Sequence, residues 1–199
     1  MENLVTELVC TRLSHDIVGN IGAVSNAVEL LEEGDMDFMD DIKSILKTSA
    51  QTLASRLKFF RMAFGLNNAN LEDETVVKQT ARDYLSTIGN KDFPVHLIFD
   101  VSTPHLRKSA LLMIMIMADV LIRGGDLEIV EEKNKLISRI SLSTRYSQEK
   151  LEKIHTALTD NKATIDAGMA PLFALIEREG RSHLSLSTDQ KFIILAAEH

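Results

Sequence analysis

The chain carries one cysteine and three prolines in 199 residues, and it has no long uninterrupted apolar run. Cys10 by itself cannot close an internal disulfide, and no Cys-x-x-Cys pair or zinc-type cluster accompanies it. A reducing, cytoplasmic setting is therefore expected. The most apolar stretch, Ala110 to Ile122, contains Asp119 and falls short of the roughly 20 residues that span a bilayer. It is expected as a buried helix. A basic amino-terminal region is missing as well, because Glu2 and Glu7 stand where a secretory signal would be positive, so no such signal is expected. Excess positive charge is also lacking: 22 Lys and Arg oppose 29 Asp and Glu, for a formal net charge of -7. Neither nucleic acid nor an anionic membrane is an expected partner.

What is present is helical periodicity. From Asn3 to Glu33 no proline intervenes, and Leu13, Ile17, Ile21, Val24, Val28 and Leu31 form a stripe spaced by three or four residues, the signature of an amphipathic helix. Asn3 is the expected N-cap and Gly34 the expected stop. A second helix is expected from about Asp37, with Met39, Ile42, Ile45, Leu46, Leu53, Leu57, Phe60 and Phe64 at helical steps and Gly65 as its C′ residue. The short Gly34-Asp35-Met36 connection forces the two into an antiparallel hairpin. Two such helices leave apolar surface uncovered, which a second copy would cover by forming a four-helix bundle. A homodimer is therefore expected.

Leu66-Asn67-Asn68-Ala69-Asn70 is small and polar, and the domain boundary is placed there: residues 1–66 form the hairpin, residues 71–199 a second domain. In the latter, Leu71 to Ile88 is expected as a helix, Pro94 to Val101 as a strand, and a new helix begins near His105. After the Gly124-Gly125 turn, Asp126 to Glu131 and Lys135 to Thr144 are expected as a strand hairpin. Helices at about Gln148 to Thr159 and Ala167 to Gly180 precede strands at His183 to Ser187 and Lys191 to Ala196. The fold class is α+β, with helices layered on one face of a sheet.

One histidine stands out. His15 lies two positions from both Leu13 and Ile17, so at about 100° per residue it points roughly 160° away from the apolar stripe. It shares its face with Arg12, Gly19, Gly22 and Asn26, a surface that is polar or bare of side chains. Glycine inside a helix costs about 1 kcal/mol relative to alanine, and a partner protein lying close across this face would compensate. Close packing within the chain or dimer is an equal explanation of the two glycines. The remaining histidines, His96, His105, His155, His183 and His199, show no metal-ligand spacing.

The run Ser14-His15-Asp16-Ile17 resembles the phospho-acceptor box of two-component histidine kinases. Gly22-Ala23-Val24-Ser25-Asn26, Glu29-Leu30-Leu31 and Phe59-Phe60-Arg61-Met62-Ala63-Phe64-Gly65 resemble more narrowly the motifs of the ChpT-type histidine phosphotransferases. That resemblance implies a dimer built like a kinase core, with a hairpin bundle followed by an α/β-sandwich domain like a degenerate histidine-kinase ATP-binding domain. It implies a phosphorelay in which His15 takes a phosphoryl group from one receiver-domain aspartate and passes it to another. The partners implied are the receiver domains of a hybrid histidine kinase and of response regulators. No cofactor of the chain's own is expected, and magnesium would come with the receiver. Asp16 would orient the imidazole, Arg12 would steady phosphate oxygens, Gly19, Gly22 and Asn26 would meet the partner, and Arg61 would contact the partner or the second domain; for Arg12 and Arg61, ordinary surface charge is an equal reading. Gly19 and Asn20 depart from the small polar residue and proline usual in relatives, which leaves no group at Gly19 to orient a water for phosphatase chemistry.

An imidazole attacks phosphorus as the neutral ring, and an ordinary pKa of about 6.5 leaves much of it neutral near pH 7. Two rivals share the hairpin. An ATP-dependent histidine kinase would need an asparagine-bearing helix for magnesium and glycine-rich phosphate loops; the helix from His105 to Ile122 has no asparagine, and Arg145-Tyr146-Ser147-Gln148 replaces an Asp-x-Gly-x-Gly loop. A non-catalytic dimeric adaptor that binds response regulators, with His15 unused, is the other.

Overall fold

A computed structural model describes residues 2–33, 38–66, 69–88, 92–160, 163 and 165–199. The expected stop at Gly34, the connection through Met36, the start near Asp37, and Asn67-Asn68 of the boundary segment lie outside these residues. The described chain begins with two long helices, α1 (Glu2–Glu33) and α2 (Met39–Phe64), about 48 and 39 Å long at 1.5 Å per residue. They run antiparallel: Leu13 lies beside Phe60 and Phe64, and three residues on, the Asp16 carbonyl meets Arg56. Two local expectations are corrected. The helix already includes Glu2, so Asn3 is within it and not its cap. Gly65 ends α2 with extended backbone (φ -68°, ψ 158°), not the left-handed conformation of a C′ glycine. Glycine is required there for another reason: a Cβ would stand 2.2 Å from the Arg61 carbonyl oxygen, the acceptor of the Gly65 N–H.

The stripe on α1 is only half covered. Val5, Leu8 and Ala27 are buried, Leu13, Ile17, Val24 and Leu31 are intermediate, and Ile21 and Val28 remain 53% and 42% exposed. On α2, Ile42 is buried while Ile45 and Leu57 are exposed.

Among the described residues, the remaining α-helices and strands are α3 (Glu74–Ser86), β1 (Val95–Asp100), α4 (Arg107–Val120), β2 (Gly125–Glu132), β3 (Lys135–Ser141), α5 (Gln148–Thr159), α6 (Ala170–Glu179), β4 (Leu184–Thr188) and β5 (Phe192–Glu198). The five strands form one sheet in the order β1-β2-β3-β5-β4, with β1 parallel to β2 and every other pair antiparallel. The α+β layering is as expected: α3, α4 and α5 lie against the sheet, and α6 packs on α4 and on α1. Gly124 (φ +59°) starts the parallel pairing, and a side chain there would meet the Pro94 carbonyl oxygen at 2.4 Å. The central helix α4 buries Leu111 through Met117 on all sides, including Met113, Met115 and Met117. Because helix faces repeat every 3.6 residues, such a run must be enclosed all round. The apolar core then continues without a break from α4 into Phe59, Phe60, Met62 and Ala63 of α2 and Val5 and Leu8 of α1. Among the described residues, no helix is long and apolar enough to cross a membrane.

Candidate functional site

His15 sits midway along α1 with its side chain 86% exposed. The neighbouring Asp16 side chain is only 15% exposed, and its Oδ1 lies 3.7 Å from His15 Nδ1, an electrostatic neighbour at slightly more than hydrogen-bonding distance. The other carboxylate oxygen, Oδ2, accepts from Arg12 Nε at 2.8 Å. This is the i, i+4 spacing at which helical side chains meet.

Arg12 reaches further. Its Nη1 and Nη2 donate to Asp119 Oδ2 and Oδ1 at 2.7 and 3.0 Å, and Nη1 also donates to the Gly168 carbonyl at 3.3 Å. Burial works against the guanidinium charge, yet Asp119 and Asp16 more than offset it and hold the Arg12 pKa above its ordinary value. The sequence reading has Arg12 steadying phosphate oxygens; the fold directs it inward, onto two carboxylates.

Sequence reasoning missed Asp119 and Arg56. Arg56 Nη1 donates to the Asp16 carbonyl at 2.8 Å, while its Nε and Nη2 donate to Thr87 Oγ1 and O at 3.1 and 3.3 Å. Asp119 had a signal available: it is the sole charge in the Ala110 to Ile122 run, and a carboxylate on a buried helix demands a cationic partner. Arg56 offered no comparable cue.

Gly19, Gly22 and Asn26 are exposed, and a Cβ built on either glycine meets no atom within 4 Å. Close approach inside this chain therefore does not account for the glycines. Arg61 is exposed in the second-helix motif and lines an open groove of about 590 Å³ with Leu13, Leu57, Lys58, Phe60 and Phe64. The fold thus places His15, Asp16, Gly19, Gly22 and Asn26 along α1 and leaves Arg61 on the neighbouring helix.

A curated relative, protein phosphotransferase ChpT of Brucella abortus (strain 2308), is 47% identical over 58 residues, 29% of this chain and 27% of that protein. A solved structure of a bacterial phosphotransferase superimposes with a TM-score of 0.75 at 26% identity, covering 98% of this chain and 95% of the other. The chain is similar to the ChpT-type phosphotransferases. A further structural match, the Acinetobacter baumannii histidine kinase AdeS, has a TM-score of 0.42 at 12% identity over 92% of this chain and 97% of that one, too distant for residue equivalences. No family model matches the chain. The sequence match spans about a quarter of the curated relative, whereas the structural match runs through nearly the whole of both chains.

Beyond the helical hairpin, the end of α4 is hydrogen-bonded to the segment after β3. Ile122 N–H donates to the Arg145 carbonyl and Ser147 N–H to the Val120 carbonyl, each at 2.9 Å, and Lys150 Nζ donates to the Asp119 carbonyl at 2.5 Å. Between α4, α5 and α6 a cavity of about 90 Å³ remains, bordered by Asp119, Lys150, Lys153 and Asp166. Lys153 is paired with Glu149 and Asp166 at 3.0 and 3.5 Å.

Proposed function

We propose that this chain is a cytoplasmic histidine phosphotransferase that relays a phosphoryl group between receiver-domain aspartates through His15. One observation carries the reading: an imidazole that is 86% exposed stands beside a carboxylate fixed at 15% exposure, on a helix face left open by two glycines. The acceptor ring is accessible and its neighbour is ordered. Phosphoryl transfer asks mainly for in-line positioning and charge stabilisation around a loose transition state, and a reachable ring beside a tethered carboxylate supports the first.

In the proposed step the His15 Nε2 lone pair forms a bond to phosphorus as the bond between phosphorus and the receiver's aspartyl oxygen breaks. The aspartate leaves as a carboxylate with the electron pair, and the ring becomes a cationic phosphohistidine with its proton on Nδ1. The reverse step on a second receiver returns the ring to neutral. Nδ1 is the nitrogen facing Asp16, so Nε2 lies on the opposite edge, toward the partner. Magnesium held by the receiver would neutralise the phosphoryl oxygens. Gly19, Gly22 and Asn26 would form the floor on which the receiver settles, with Arg61 at its side.

The half-covered stripe of Ile21 and Val28 supports a homodimer in which a second hairpin completes a four-helix bundle. The Arg145 to Ser147 segment stands where a kinase would carry a glycine-rich phosphate loop, and its Ser147 N–H is spent on the Val120 carbonyl, which supports a chain that does not use ATP itself. The test is incubation with a phosphorylated receiver. Acid-labile label appearing on the chain and lost in His15→Ala, with receiver binding retained, is the expected result. Binding without label would establish the adaptor reading instead, and self-labelling from ATP and magnesium would establish the kinase.

A further inference from the structure

Each of two arginines holds Asp16 with one part of its guanidinium and the second domain with another. Arg12 bonds Asp16 Oδ2 through Nε and grips both oxygens of Asp119, on α4, through Nη1 and Nη2. Arg56 bonds the Asp16 carbonyl through Nη1 and the Thr87 hydroxyl and carbonyl, just past α3, through Nε and Nη2. The Arg12, Asp16 and Asp119 side chains are 13%, 15% and 20% exposed, while His15, in the adjacent position, is almost free. Tethering of this kind fixes one rotamer of a side chain that would otherwise sample several staggered wells. The fork-on-carboxylate geometry is one that arginine makes and lysine does not.

We propose that Arg12, anchored by Asp119, is a positioning residue for phosphoryl transfer, and that the second domain serves the acceptor site by holding Asp16 in place. The proposal rests on the relay reading above. With Oδ2 committed to Arg12, Oδ1 is the oxygen that faces His15 Nδ1. When the N–P bond forms and the receiver's aspartate departs with its electron pair, positive charge develops on the ring and the proton resides on Nδ1. It then lies against a carboxylate whose position was set beforehand. Arg12 acts through Asp16 and does not touch the phosphoryl group.

The experiment measures label transfer from a phosphorylated receiver across receiver concentrations, for the full wild-type chain, Asp119→Asn, Asp119→Glu and Arg12→Lys. Displacement of a positioned group by about 1 Å can cost up to about a hundredfold. A drop of about tenfold in the saturating rate is expected for Asp119→Asn and Arg12→Lys, with the half-saturating receiver concentration changed by less than about twofold, because the docking face is untouched. Asp119→Glu, which keeps a carboxylate for the fork, recovers part of the loss. In parallel, nitrogen NMR of the His15 ring is expected to report a tautomer favouring the Nδ1 proton in wild type and a mixture in Asp119→Asn. If Asp119→Asn fails to fold, Arg12→Lys carries the same comparison. A wild-type chain that labels, with Asp119→Asn and Arg12→Lys matching its saturating rate and tautomer, overturns the proposal alone. A wild-type chain that binds the receiver but never labels overturns the relay reading, and the positioning role falls with it.

Discussion

Phe59 of α2 and Tyr84 of α3 stack with ring centroids 4.0 Å apart and planes 15° from parallel. Both are fully enclosed, at 0% and 1% exposure, and burial pushes the Tyr84 hydroxyl pKa well above its ordinary value. The pair fuses hairpin and second domain into one core. Phe59→Ala should therefore destabilise the whole chain by about 3–5 kcal/mol. Chemical denaturation of the wild type, followed by far-ultraviolet circular dichroism and by tyrosine fluorescence, should give coincident transitions. Separate transitions for the two halves would contradict the shared core.

Arg107 is the second structural anchor. Its guanidinium donates to the carbonyls of Val101, Leu71, Glu72 and Ser102 at 2.7–2.9 Å, tying the start of α4 to the segment before α3. Arg107→Met removes all of these donors at once, and the orphaned carbonyls should cost about 3 kcal/mol or more. Arg107→Lys should recover only part, since one ammonium cannot reproduce the fork. Urea unfolding midpoints of the two variants check this.

Glu131 gives the fold an acid-sensitive contact. Its partial burial would raise the carboxyl pKa, but bonds from the Thr103 hydroxyl and N–H and the Ser102 hydroxyl overcome this and hold it below the ordinary value. A folded-state pKa below the unfolded one contributes stability above the unfolded value, near 4.3, and that contribution fades as pH falls through the folded value. Glu131→Gln should thus lower the melting temperature at pH 7, with a smaller difference from wild type at pH 3. Equal differences at both pH values would contradict the assignment.

Ile21 and Val28 lie on the α1 face that α2 does not cover. Placing a charge at the centre of an apolar interface leaves it unpaired and desolvated. Ile21→Glu combined with Val28→Glu should give a folded monomer, with wild type a dimer, as read by light scattering after size exclusion. A wild-type monomer would remove the bundle.

The long periods were legible in the sequence: α1, α2, α5 and the alternating strands follow from spacing within one segment, and so does the outward direction of His15. Contacts between distant segments were not. Arg12 and Asp16 are four residues apart and could be paired on sight, whereas Arg12 and Asp119 are separated by 107 positions. Only the folded sheet and the packing of α4 beneath the hairpin bring them together. The parallel β1–β2 pairing was likewise hidden, since a strand's alternation says which face it buries and nothing about its neighbour. At Gly65 the expected left-handed C′ role does not hold, and the need for glycine lies in the Arg61 carbonyl pressing on it, a contact the sequence does not display.

Chemical mapping of the phosphoryl group tests the central claim most directly. After reaction with a phosphorylated receiver, phosphorus NMR and tandem mass spectrometry at neutral pH should place a phosphoramidate on Nε2 of His15 and on no other residue. A phosphoryl group on a carboxylate, on another histidine, or on the receiver alone would contradict the account.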